Sequence, residues 1–220
     1  MTLARQPADV DAAQTEFENP FGMDADCQNC PALCAERSNV VHGYGDVGGE
    51  FLVVGEAPSA GADATGIPFG DDAGGRRIRS IFRELGFVRS SPETVAMDVQ
   101  NVFFTSVTRC RHPDRPATDA EVANCEPYLD AEIRMINPQI IVPVGQRALE
   151  ALAFEYTTRS SDSFDVAAEH ATTIRGRGFE LVPMRDPEAM SDAEERAFLE
   201  HVRENVLARD YRQTKGRRSR

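Results

Sequence analysis

Phe51-Leu52-Val53-Val54-Gly55-Glu56-Ala57-Pro58 reads as a short, wholly apolar strand running into a glycine-opened turn. Four consecutive apolar residues with no alternation indicate a strand covered on both faces, as in a parallel sheet. Three more such runs follow: Val102-Phe103-Phe104 through Val107, Ile140-Ile141-Val142-Pro143-Val144, and Phe179-Glu180-Leu181-Val182-Pro183-Met184. Helical patterns lie between them. Ile78, Ile81, Phe82 and Leu85 recur at helical spacing before Gly86, and Val122, Cys125, Leu129, Ile133 and Ile136 before Asn137-Pro138. Gly145 opens a pattern through Ala148, Leu149 and Leu152, and Phe198, Val202 and Val206 mark a last helix. Thr118-x-x-Glu121 and Ser191-x-x-Glu194 have the form of capping boxes. Strands alternating with helices predict a three-layer α/β/α domain around a central four-stranded parallel sheet.

The expected organisation is an acidic leader over 1–20, one domain over 21–208 and a basic tail over 209–220. Residues 21–38 are read as a short, partly helical segment, and 56–75, with five glycines, as a loop. Residues 155–178 are polar and irregular. In doubly wound sheets ligands bind beyond the carboxyl ends of the strands. Glu56, Ser106, Gly145 and Arg185 all follow strands closely, so they are expected to converge on one crevice.

The chain has 220 residues, 41% of them apolar, which supports a packed core. It carries 36 Asp and Glu against 24 Lys and Arg, a formal charge of −12, and Lys215 is the single lysine. Such an acidic surface usually argues against a polyanionic partner. An acidic, lysine-poor surface is also expected of a salt-adapted protein, where salt screens self-repulsion, so the net charge leaves DNA open as a partner. No run approaches the ~20 apolar residues of a membrane span. No secretory signal core is present, and a cytoplasmic monomer is expected.

Cys27-x-x-Cys30 lies near the start of the chain, and Cys110 and Cys125 far downstream. In a reducing compartment two such pairs suit one buried metal centre, of zinc or of iron and sulfur, better than disulfides. Cys34 is read as a small buried residue. Glu56, after a buried strand, could be tuned by desolvation and position a water, or be an ordinary cap. Phe69, in Gly66-Ile67-Pro68-Phe69-Gly70, could stack on a base or anchor the loop. Arg109, Arg111 and Arg115 flank Cys110 and could meet phosphates, or pair with the many carboxylates.

Taken in order, these motifs resemble the iron–sulfur uracil-DNA glycosylases of the family 4 type. The resemblance rests on Cys27-x-x-Cys30-Pro31-Ala32-Leu33-Cys34-x-x-Arg37, Val40-Val41-His42-Gly43-Tyr44-Gly45 and Val54-Gly55-Glu56-Ala57-Pro58. It continues through Gly66-Ile67-Pro68-Phe69-Gly70 with Ala73-Gly74, Arg109-Cys110-Arg111, Cys125-x-x-Tyr128-Leu129, Ile136-x-Pro138 and Gly145-x-x-Ala148. It covers residues 27–207. The resemblance implies a uracil-DNA glycosylase-like fold and a [4Fe-4S] cluster on Cys27, Cys30, Cys110 and Cys125, with zinc as the alternative. It implies hydrolysis of the N-glycosidic bond of uracil, or another damaged base, in DNA. Glu56 would lie on the water side, Phe69 would stack on the flipped base, and Gly55, Ala57, Pro58 and Ser106 would line its pocket.

Two positions depart from the family. Ser106 stands where an Asn usually reads the base, and Met184-Arg185-Asp186-Pro187 replaces a His-Pro motif, putting Asp186 in the His position beside Arg185, a substitute donor. These departures motivate a second reading, a non-catalytic iron–sulfur protein that binds nucleic acid or assists repair.

Overall fold

The structure is a computed structural model that describes residues 17–158, 160 and 163–209. Residues 1–16 of the expected leader and 210–220 of the expected tail lie outside the described residues.

The elements in chain order are α1 (Pro31–Glu36), β1 (Tyr44–Gly45), β2 (Phe51–Gly55), α2 (Ala60–Thr65), α3 (Ala73–Glu84) and β3 (Val102–Ser106). Then come α4 (Asp119–Ile136), β4 (Ile140–Pro143), α5 (Gln146–Tyr156), α6 (Val166–Glu169), β5 (Ile174–Arg175), β6 (Glu180–Leu181) and α7 (Asp192–His201). α7 runs on into a π-helical segment, Val202–Leu207.

The four expected strands form a parallel core in the order β3-β2-β4-β6. The sheet is wider than expected: β1 pairs antiparallel with β3 and β5 antiparallel with β6, giving six strands in the order β1-β3-β2-β4-β6-β5. Each added strand is only two residues long, too short for a hydrophobic period to mark it. Such short edges also offer little to a pairing chain. The fourth strand is regular only over Glu180–Leu181, and a further bridge joins Met184 to Val144. Part of the expected 56–75 loop is helical. Ser59 caps α2 through a bond to the Ala62 amide, and Gly66 ends it in the left-handed region at φ 76°. Likewise α6 and β5 lie inside the stretch read as irregular.

Strand residues alternate between the two faces, as a pleat requires. Phe51, Val53, Val102, Phe104, Ile140 and Val142 pack with Ile78, Ile81 and Phe82 of α3 and Phe198 of α7. Leu52, Val54, Phe103 and Ile141 pack with Ile133 and Ile136 of α4 and Leu149 and Leu152 of α5. Both capping boxes form. The chain therefore leaves β2 toward one face, through α3, and leaves the neighbouring β4 toward the other, through α5. A crevice opens where such connections diverge.

Arg109, expected at a phosphate, is instead 1% exposed. Its Nη2 donates to Glu132 Oε2 at 2.7 Å, and its Nη1 to the Ser106 carbonyl at 2.6 Å and to the Thr105 hydroxyl. Glu132 Oε1 accepts from the Gly43 amide at 3.2 Å. The side chain is drawn inward because a buried carboxylate on α4 faces the end of β3.

Removing one partner of a buried pair leaves an uncompensated charge. Glu132→Gln is therefore expected to lower unfolding stability by about 3–5 kcal/mol, read from denaturant unfolding. A change within experimental error would show that the pair contributes nothing.

Candidate functional site

The carboxyl ends of β2, β3 and β4 surround a cavity of about 270 Å3. Its lining includes Gly55, Glu56, Ala57, Phe69, Ser106 and Asp186. The structure thus brings six of the expected residues together. Pro58 is buried but lies outside the lining. Arg185 also stays out of it. Its guanidinium pairs with Glu194 of α7, and its amide donates to His170 Nδ1 at 3.1 Å. Expecting Arg185 at the site therefore fails, because the α7 capping box offers it a carboxylate closer by.

Glu56 sits at the start of α5. Its Oε1 accepts the Arg147 amide at 2.9 Å, so the positive end of the helix fixes one oxygen. Oε2 has no hydrogen-bond partner among the described residues. The contact explains Gly145, which has φ 93°; a Cβ there would stand 2.4 Å from Glu56 Oε1. Burial raises the Glu56 pKa above the ordinary carboxylate value, the Arg147 amide opposes this, and the Asp186 charge adds to it.

The Phe69 ring lines the cavity beside Gly55. Its Cζ lies 3.1 Å from where a Gly55 Cβ would stand, and the Ser106 hydroxyl lies 3.3 Å from that point. A Cβ at 55 would press on both, so that each would have to give by a few tenths of an ångström. Phe69 has a left-handed backbone, φ 53°, rare for an aromatic residue. It meets Phe104 edge to face, with centroids 5.9 Å apart.

Four carboxylates line the cavity, since Asp72 and Glu188 join Glu56 and Asp186, and among the described residues no Arg or Lys does. Asp72 caps α3 by accepting the Gly75 amide at 2.7 Å. Asp186 Oδ1 accepts the Glu188 amide at 2.7 Å and shapes the turn after β6. The sequence reading missed Asp72 and Glu188. The cap position before Ala73-Gly74-Gly75 was a usable signal for Asp72; none marked Glu188.

All five cysteines are free, and Cys27, Cys30, Cys110 and Cys125 are buried. Cys34, expected to be buried, is only half-buried, its thiol 3.6 Å from the Cys27 carbonyl. Several donors reach the other four sulfurs. Arg37 Nη1 lies 3.1 Å from Cys110 Sγ, and its Nη2 holds the Cys27 carbonyl at 2.6 Å. Asn124 Nδ2 lies 3.4 Å from Cys30 Sγ. The Cys27 thiol beside the Tyr128 hydroxyl raises the pKa of that phenol, and the Arg109 main chain and charge oppose the rise that burial imposes on the Cys125 thiol. Burial raises the Cys110 thiol to about 11 despite Arg37. Among the described residues no three His, Cys, Asp or Glu side chains close on one point tightly enough for a single metal ion. Arg37 and Tyr128 belong to the quoted motifs, but their aim at sulfur is a tertiary fact.

Of the remaining arginines, Arg115 makes two bonds of 2.8 Å to Glu121, and these hold that carboxyl down at about 2. Its expected phosphate contact gives way to this surface pair. Arg111 is half-buried with no hydrogen bond or ion pair among the described residues, and stays open to a phosphate. No helix among the described residues is long and apolar enough to cross a membrane.

Residues 42–206 match the Uracil DNA glycosylase superfamily. The type-4 uracil-DNA glycosylase of Sulfurisphaera tokodaii is 37% identical over 154 residues, 70% of this chain and 61% of that protein. That of Thermotoga maritima is 37% identical over 124 residues, 56% of this chain and 58% of that protein. The type-5 uracil-DNA glycosylase of Thermus thermophilus is 31% identical over 156 residues, 61% of this chain and 71% of that protein. The chain thus spans between half and two thirds of the first of these relatives.

The raised Glu56 pKa has a signed consequence for stability. A carboxyl more easily protonated folded than unfolded costs stability at neutral pH, and the cost disappears as pH falls through the folded value. Glu56→Gln keeps an oxygen for the Arg147 amide and removes the charge. It is expected to unfold at a higher temperature than the wild type at pH 7, with the gap closing below pH 4.5. A destabilised variant at pH 7, or a gain independent of pH, would contradict the buried charge.

Proposed function

Because the chain belongs to the Uracil DNA glycosylase superfamily, we propose that it hydrolyses the N-glycosidic bond of uracil in DNA, in the cavity between β2 and β4. The observation that carries this reading is that Glu56, Phe69 and Ser106 line one cavity of about 270 Å3. A base inside a duplex is stacked and its glycosidic bond unreachable, so the nucleotide must swing out. The Phe69 ring offers the flipped base a stacking face, with Ser106 beside it.

In the reaction the bond between C1′ and the base breaks, its electron pair leaves with the base, and positive charge grows on the sugar. Glu56, held by the Arg147 amide, supplies the opposite charge and accepts a proton from the attacking water, whose oxygen bonds to C1′. The departing base is anionic and takes up a proton. Asp186 stands in the lining where the family usually has a donor, so this chain stabilises the leaving base less strongly.

We also propose a [4Fe-4S] cluster on Cys27, Cys30, Cys110 and Cys125. Four buried free thiols with donors aimed at them suit it, and zinc is the alternative. When bound, its contribution would be structural. Arg111, beside Cys110, is the proposed phosphate contact. The carboxylate-rich, lysine-poor composition fits a salt-adapted protein.

The test is base release from a uracil-containing single-stranded oligonucleotide with anaerobically purified protein. Glu56→Gln should lose about 10²–10⁴-fold in rate. The activity should fall with acid through a pKa above 4.5, and Asp186→Asn should move that limb to lower pH by removing a charge that raises Glu56. Binding that weakens with salt, without release at any enzyme concentration, would overturn the reading in favour of an accessory protein. Metal analysis should find iron; zinc alone would refute the cluster.

A further inference from the structure

Arg79 lies on α3, 0% exposed. Its bonds run to main-chain carbonyls. Nε donates to Pro92 at 2.6 Å, and Nη1 to Gly70 at 2.8 Å and to Phe69. Nη2 is buried with no partner. A guanidinium held by carbonyl dipoles and left partly unsatisfied is costly to bury, and an apolar side chain of similar size would pack there more cheaply. What the charge secures is the two carbonyls it grips. They are the carbonyls of Phe69 itself and of the next residue, so they fix the chain as it leaves the left-handed turn at Phe69, φ 53°, which sets the ring against Gly55 in the cavity. One helical turn earlier on α3, Gly75 presses against the same two carbonyls; a Cβ there would stand 2.2 Å from the Gly70 oxygen and 2.5 Å from that of Phe69. The helix therefore backs this wall of the cavity with a glycine and clamps it with a buried cation.

We propose that Arg79 is a positioning residue that aims the Phe69 ring at the flipped base. The inference rests on the reading of the cavity as a base pocket. Arg79 touches no lining atom except through the loop it holds, so its effect should pass through Phe69.

Two measurements test this. The chain contains no tryptophan and four tyrosines, so Phe69→Trp introduces a single tryptophan at the position of interest, excited selectively over tyrosine and readable without catalysis. In that background Arg79→Met should raise acrylamide quenching severalfold, and Arg79→Lys should restore part of the protection. The second is a double-mutant cycle on uracil release. Arg79→Met alone should lose ~10–100-fold in kcat/KM, and little more should be lost when it is added to Phe69→Ala. Unchanged quenching, or losses that simply multiply in the double variant, would overturn the inference. A wild-type protein that releases no base would overturn the functional reading instead, and the quenching result would still decide whether Arg79 holds the ring.

Discussion

The buried pair of Arg109 and Glu132 is the tie on which both ends of this molecule depend. Two charges at 1% exposure are tolerable only if their remaining bonding capacity is met. Here most of it is met by the chain segments that need fixing, and only the Arg109 Nε is left without a partner among the described residues. Glu132 takes the Gly43 amide ahead of β1, and Arg109 takes the Ser106 carbonyl beside the cavity. The Arg109 main chain accepts the Val41 amide at 2.8 Å, and the residue stands next to Cys110 in the chain. One ion pair thus joins the last residue of β3, the edge of the sheet, the core of α4 and the cysteine centre.

The opposite wall depends on close approach more than on charge. Gly61 and Gly70 touch backbone to backbone, Gly75 backs onto Gly70, and Gly145 leaves room for a carboxylate. Side chains at these positions would push walls apart that now stand at contact distance. Arg77 extends the arrangement to the far side by donating to the Pro187 carbonyl at 3.0 Å and to that of Met190. Helix α3 therefore holds the Phe69 loop with one arginine and the Asp186-Pro187 turn with another. The cavity is rigid for the same reason that its glycines have little freedom to change.

Much of this was legible in the sequence, and the boundary has a physical cause. The parallel strands show because residues buried on both faces must be apolar. The helix starts at Thr118 and Ser191 show because caps obey local spacing. Glu56 and Ser106 meet because each follows a strand of the parallel core, whereas Phe69, on a loop between two helices, is expected there only from the family resemblance. What stayed hidden is where long polar side chains end. Arg79, Arg109, Arg115 and Arg185 are alike in sequence. One is buried on carbonyls, one is buried on a carboxylate, and two pair at the surface. That choice depends on which acid or carbonyl folding brings near, which no local pattern encodes. The two-residue edge strands escaped for a simpler reason, since a period needs more than one repeat to be seen.

The cysteine centre is assembled from distant parts of the chain. Arg37 reaches Cys110 across 73 residues, and Asn124 reaches Cys30 across 94. Contacts of such separation require costly loop closure before they give any return. The N-terminal pair meets its partners only where the end of β3 and the first half of α4 bring Cys110 and Cys125 to it. A cofactor held by both pairs would act on the chain as a cross-link closing a long loop, restricting the unfolded chain as much as it ties the folded one.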